Sequence, residues 1–271
     1  TLIASYGLQI PVVVTEHTDP WTAPISGAWS KLRSRLYPRA SRVVVLNQRA
    51  REFFDNSPRI RTTVMPNPVV IETDKNTVDP ICEVTSDHLI VAMGRLSREK
   101  CFDQLIRAYA HVATEYSDWN LVILGEGPER EALEALRDEL GLGQRVRLPG
   151  TVRHPHVVLK QADLFVSSSE LEGFPMALCE SLACGLPVIV SEYHSAVREI
   201  VDDGHNGVLV PPGDPAALAD AMIHLIENPR ERDRLAENST QTGIRFSVDV
   251  IMKRWDQLLN EAVVQKREVS L

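Results

Sequence analysis

What most constrains this chain is an alternation. Short apolar runs of strand length take turns with amphipathic stretches from one end to the other. "IPVVVTE", "RVVVLN" and "TTVMP" read as buried strands, with helical stretches around residues 26–37 and 47–55 between them. Residues 66–87 then hold three prolines and no clear period, which reads as a linker. A second series follows. Strand "HLIVAMG" leads to a helix from about 100 to 116, and "WNLVILG" leads to "GPEREALEALRDELGL". In that helix Leu133, Leu136 and Leu140 recur at helical spacing and Gly141 is a stop. "RVRLPG", "DLFVSSS", "LPVIVS" and "NGVLVPP" continue the strands, and three helical segments close the chain, the first capped by Asp214. Strands that alternate with helices predict a parallel sheet covered on both faces.

The fold class expected is therefore α/β, with two Rossmann-like units. The second is a doubly wound parallel sheet. The first is expected to be incomplete: three strands leave an open sheet edge, the chain opens in mid-pattern without a methionine, and the missing portion is expected before Thr1. The expected boundaries are a first unit over 1–70, a linker over 71–87, a second unit over 88–245, and a C-terminal helix over 246–271 that packs back toward the first unit.

Composition narrows the class. With 271 residues, 44% hydrophobic and 24% charged, the chain can bury a substantial core. No run of 18 apolar residues offers a membrane-spanning helix. A net charge of −8 argues against a general nucleic-acid binder. Between Lys31 and Arg61, however, nine Lys and Arg face only Glu52 and Asp55, a local +7. "AWSKLRSRLYPR" interleaves Trp29, Leu32, Leu36 and Tyr37 with that charge. It is either a solvated helix face or a surface over residues 29–42 for anionic lipid or a phosphorylated acceptor. Cys82, Cys101, Cys179 and Cys184 form no CxxC pair; Cys179 and Cys184, on or beside an apolar helix, read as small hydrophobes, and the compartment as a reducing cytoplasm.

In open parallel sheets, ligands bind at the carboxyl ends of the strands. In the second unit those ends carry Gly94, Arg95 and Lys100, then Gly125, Glu126 and Gly127, then Glu170, Glu172 and the Gly173-Phe174-Pro175 turn. Glycines let a ligand approach the backbone, and Arg and Lys bind phosphate. Carboxylates repel phosphate but accept from vicinal hydroxyls. A ligand that needs both has a phosphate centre flanked by polyols, and a nucleotide sugar fits. Glu172 and Glu180 are eight residues apart, on the order of 12 Å if the intervening chain is helical. Singly, each position has a structural reading as well: a surface ion pair for Arg95, a structural cap or pair for Glu180.

Together, "GRLSREKCFDQLIRAY", "LVILGEGPEREAL", "SSSELEGFPMALCESLACGLPVIVS" and "NGVLVPPGDPAALADAM" resemble the retaining glycosyltransferase family 4, of the two-domain GT-B fold. The E-x7-E motif of that family matches Glu172 to Glu180. The resemblance covers residues 88–230 closely and 10–70 loosely. It implies that Arg95 and Lys100 neutralise the donor diphosphate beside Gly94 and Gly125. It also implies that Glu172 contacts the donor hexose, near the backbone amides of Gly173, Phe174 and Pro175, and that Glu180 holds the ribose hydroxyls. Glu199 in "REIV" matches a helix position near the site, and His17 in "TEHT" matches a histidine close to the reacting sugar. "SEYHSAVREIV" departs from the family by lacking a Gly-rich turn before Glu-Ile-Val, which puts local donor contacts in doubt.

The activity implied is transfer of a hexose from a nucleoside-diphosphate sugar to a glycan or lipid-linked acceptor, with retention, in bacterial-type cell-surface polysaccharide synthesis. No cofactor is implied and, with no suitably placed DxD motif, no metal. The location implied is cytoplasmic, with peripheral contact at the inner membrane face. The rivals are a nucleotide-binding fragment without turnover and a sugar-nucleotide epimerase of the same fold.

Overall fold

The computed structural model describes residues 2–5, 7–8, 10–22, 25–57, 59–71 and 88–268, with side chains described to residue 264. Residues 72–87, with Cys82 and almost all of the expected linker, lie outside the described residues. The chain divides into two compact units, Thr1–Pro68 with Phe246–Leu271, and Val69–Arg245.

The first unit is a parallel three-stranded sheet in the order β1 (Val13–Glu16), β2 (Arg42–Val45), β3 (Thr62–Val64). Alternation along β2 sends its valines to two cores. Val43 and Val45 pack with Ala50 and Phe54 of α2 (Gln48–Asp55), whereas Val44 and Met65 pack with Ile251 and Leu258 of α9 (Val248–Glu268). Only β2 is a buried strand. β1 and β3 flank it and are half-buried, so the expectation of three buried strands holds for the middle one alone. Helix α1 (Gly27–Leu36) buries no residue fully and leaves Trp29 exposed.

The second unit is a six-stranded parallel sheet. Its strands are β4 (His88–Met93), β5 (Trp119–Leu124), β6 (Val146–Gly150), β7 (Leu164–Ser167), β8 (Val188–Ser191) and β9 (Gly207–Val210). They lie in the order β6-β5-β4-β7-β8-β9, so the winding reverses between β4 and β7. That is a doubly wound sheet, and its switch point is where a crevice opens at the carboxyl ends.

Helices cover both faces because the apolar residues recur at helical spacing. In α3 (Phe102–Glu115), residues Phe102, Leu105, Ile106, Tyr109 and Val112 face the sheet, and the Tyr109 hydroxyl donates to the Trp119 carbonyl at 2.7 Å. Helix α4 (Arg130–Glu139) buries Leu133 and Leu136, and Gly141 takes the left-handed conformation (φ 66°) just past its end. Asp214 caps α7 (Pro215–Glu227), accepting from the Ala217 amide at 3.0 Å. The helix expected from residue 100 begins instead with a 3-10 turn, Arg98–Lys100. Cys101 then adopts a left-handed backbone (φ 49°) before α3 starts.

Candidate active site

The switch point brings β4 and β7 side by side, and the loops leaving them meet. After β4 the chain runs through Gly94 and Arg95 into the 3-10 turn that ends at Lys100. After β7 it runs through Ser168 and Ser169 to Glu172. The Ser168 hydroxyl donates to the Lys100 carbonyl at 2.8 Å, which fixes one loop to the other. The Ser169 hydroxyl donates to Glu172 Oε1 at 2.6 Å. Across the crevice Lys100 Nζ lies 2.9 Å from Glu172 Oε2, with the two side chains only 16% and 10% exposed. The serines were visible as "SSS" at the end of a strand, but nothing in the sequence assigned them their partners.

Glycine makes this geometry possible. A Cβ on Gly94 would stand 3.1 Å from Cε of Lys100, so the bare backbone lets the lysine stem lie against it. Gly125, with φ +142°, passes so close to Gly94 that a Cβ there would sit 1.8 Å from the Gly94 carbonyl oxygen. A Cβ on Gly127 would come within 2.2 Å of the Leu96 carbonyl oxygen. A cleft of about 270 Å³ lined by Gly94, Arg95, Gly125, Glu126, Thr151 and Val152 opens at the ends of β4, β5 and β6. Arg95 is exposed there, and its guanidinium makes no hydrogen bond or ion pair among the described residues.

The other carboxylates differ in use. Glu126 is held by Arg130 at 2.7 Å, and that hydrogen bond keeps its carboxyl below the usual range. Glu170 is exposed and accepts from Gln104 Nε2 at 3.1 Å. Glu180, on α6 (Met176–Ala183), is half-buried with no hydrogen-bond or ion-pair partner for its carboxylate among the described residues, and burial pushes its pKa up. Such a group invites a neutral donor such as a hydroxyl.

Two sequence expectations change. Only the last part of the Glu172–Glu180 interval is helical, since α6 begins at Met176, so the 12 Å axial span does not apply. Pro175 has no N–H and supplies no amide to a ligand; it is buried at the N-cap position of α6. Gly173 and Phe174 lie in the turn between Glu172 and that cap.

Glu199 ends the 3-10 segment Ser195–Glu199, and its carbonyl accepts from Arg245 Nη2 at 3.2 Å. His17 belongs to the first unit, exposed just past β1. The loop presenting it is pinned: Glu16 accepts from the Tyr37 hydroxyl, Asp19 holds Arg49 Nε at 3.2 Å, and Trp21 Nε1 donates to the Arg49 carbonyl at 2.9 Å. Burial raises the thiols of the three described cysteines, Cys184 to about 11, Cys101 to about 12 and Cys179 in the same direction, which disfavours their thiolates. Among the described residues no cluster of three or more His, Cys, Asp or Glu could hold a metal ion, and no helix is long and apolar enough to cross a membrane.

Residues 79–242 match the family of glycosyl transferases, group 1. The chain belongs to that family. Among curated relatives, an α-1,4-N-acetyl-D-galactosaminyltransferase from Campylobacter jejuni, which acts on an undecaprenol-linked acceptor, is 27% identical over 96% of this chain and 71% of its own length. An exopolysaccharide phosphotransferase from Streptomyces coelicolor is 30% identical over 84% of this chain. This group 1 family member spans only 24% of that protein, and 57% of a lipopolysaccharide core glycosyltransferase from Rhizobium meliloti. Among solved structures, Anabaena HepE in complex with UDP superposes with a TM-score of 0.82 at 24% identity, over 96% of this chain and 74% of that one. Similarity at that level establishes the fold, two Rossmann-like α/β units of the GT-B type.

Proposed function

We propose that this chain is the donor-binding part, with some acceptor-side structure, of a retaining hexosyltransferase of the family 4 type. It moves a sugar from a nucleoside diphosphate to a glycan or lipid-linked hydroxyl in cell-surface polysaccharide synthesis. The observation that carries the proposal is the Lys100–Glu172 pair at the switch point, where the loops after β4 and β7 meet. Cations and carboxylates gathered on one glycine-lined rim match a diphosphate flanked by two polyols.

In this reading, Lys100 and Arg95 meet the diphosphate and stabilise the charge that develops on it as the glycosidic bond breaks. Glu172 accepts from hexose hydroxyls, with the amides of Gly173 and Phe174 beside it, and Glu180 accepts from the ribose. Neutralisation by side-chain cations makes the reaction metal-independent. His17 lies on the acceptor-side unit, where the family resemblance puts a histidine near the reacting sugar, and Glu199 stands behind the donor site. Relatives named for undecaprenol-linked and lipopolysaccharide acceptors favour a cytoplasmic protein at the inner membrane face, with residues 29–42 as the contact.

The test is a product assay in EDTA with UDP- and GDP-sugars and a lipid-linked acceptor, separating free sugar, epimer and glycoside. Formation of an α-glycoside supports the reading. Epimer alone, or loss of all binding in EDTA, contradicts it.

A further inference from the structure

The segment that departs from the family pattern, Tyr193-His194, sits directly against Glu172. After β8 the chain turns, the Tyr193 amide donating to the Ser191 carbonyl at 3.0 Å. His194 Nδ1 accepts from the Ala196 amide at 3.2 Å, which leaves the ring proton on Nε2, and Nε2 donates to the Glu172 carbonyl at 3.1 Å. The Tyr193 ring meets the His194 ring edge-on, with centroids 4.4 Å apart at 74°. The Tyr193 hydroxyl is buried and has no hydrogen-bond partner among the described residues. Burial raises its pKa, and the nearby Glu172 carboxylate pushes it the same way, so the phenol is a neutral donor close to Glu172.

A buried hydroxyl without a partner is a cost the ligand-free protein carries. The state of Glu172 gives that cost a use. Without donor, its two carboxylate oxygens are taken by Lys100 and Ser169. A diphosphate that claims Lys100 strips Glu172 of its cation and leaves a largely buried carboxylate short of a donor. We propose that Tyr193 is a positioning residue for donor sugars: when the diphosphate draws Lys100 off Glu172, the Tyr193 hydroxyl donates to the freed carboxylate and holds it for the hexose hydroxyls. The inference rests on the donor-site reading above and adds a residue to it.

Tyr193→Phe tests this in the full chain, since it removes one oxygen and keeps the ring packed on His194. Three quantities are measured: the ligand-free Tm, the Kd for UDP, and the Kd for UDP-glucose, with GDP and GDP-mannose as a second pair. The expected result is a Tm at or above wild type and affinity weaker by about tenfold for the bare and the sugar-bearing nucleotide alike, because both carry the diphosphate that frees Glu172, as for a lost hydrogen bond to a charged group. A lower ligand-free Tm would show a structural hydroxyl and overturn the inference. Unchanged binding of both ligands would overturn it alone, leaving the donor site intact. A wild-type chain that binds none of the four ligands would overturn the donor-site reading and the inference with it.

Discussion

Glu172 should compete with the nucleotide for Lys100, so Glu172→Gln is expected to tighten binding of the bare diphosphate. The pair is 2.9 Å apart, which at an effective dielectric of 20 is a gross attraction of about 6 kcal/mol. Most of that is offset by desolvation of the two charges, and the net worth of a charge-assisted contact is roughly 1.5–3 kcal/mol. Glutamine keeps the shape and still accepts from Ser169, so about half of that net value is released to the ligand. The expected gain is therefore about 1.1 kcal/mol, or roughly sixfold in Kd. The assay is calorimetric titration with UDP and GDP at low salt on wild type, Glu172→Gln, Lys100→Ala and the double variant. Lys100→Ala should weaken binding by roughly ten- to a hundredfold. In the lysine-free background Glu172→Gln should do nothing, because the interaction being removed is already gone. The ligand-free Tm of Glu172→Gln should fall, since a partly buried ammonium loses its partner. Weaker UDP binding by Glu172→Gln, or the same effect with and without Lys100, would refute the competition. Read from roles alone, Glu172 concerns only the sugar-bearing donor; the ion pair is what extends its reach to the bare nucleotide.

Glu180→Gln should raise the ligand-free Tm near neutral pH and weaken bare-nucleotide binding. Burial raises the carboxyl above its unfolded value, so this group favours folding while protonated, and the benefit is lost as pH rises from the ordinary carboxylate range through the folded pKa. A Tm–pH profile should show that loss in wild type and a flatter curve in the variant. Gly125→Ala should cost about 3 kcal/mol or more, because φ +142° strains any side chain and its Cβ would strike the Gly94 carbonyl. Chemical denaturation measures it, and a variant as stable as wild type would mean the loops at the switch point are not packed as described.

Much of this was readable in the residues, and the reasons are local. Four consecutive apolar residues after Asn120, an amphipathic repeat and a glycine stop are short-range signals, so β5, α4 with Gly141, and the Asp214 cap all stood out. The glycines of the rim were legible because only glycine tolerates such close backbone approach. What was hidden depended on chain segments far apart in sequence. Lys100 and Glu172 are adjacent only because the sheet reverses between β4 and β7, and no local pattern reports which strands become neighbours. The half-burial of β1 and β3 follows from their place at the flanks of β2, which their β-branched sequences do not encode. His194 and Tyr193 looked like a lost glycine turn. Their contact with the Glu172 loop, across 21 intervening residues, became visible only in three dimensions.

The most direct test of the central claim is titration of the chain with UDP and GDP in EDTA, repeated on Lys100→Ala and Glu180→Gln. Diphosphate and ribose held by the second unit require saturable binding of at least one nucleotide by wild type, and clear weakening by each substitution. Binding that survives both substitutions unchanged, or that appears only when a divalent cation is added, would contradict the account.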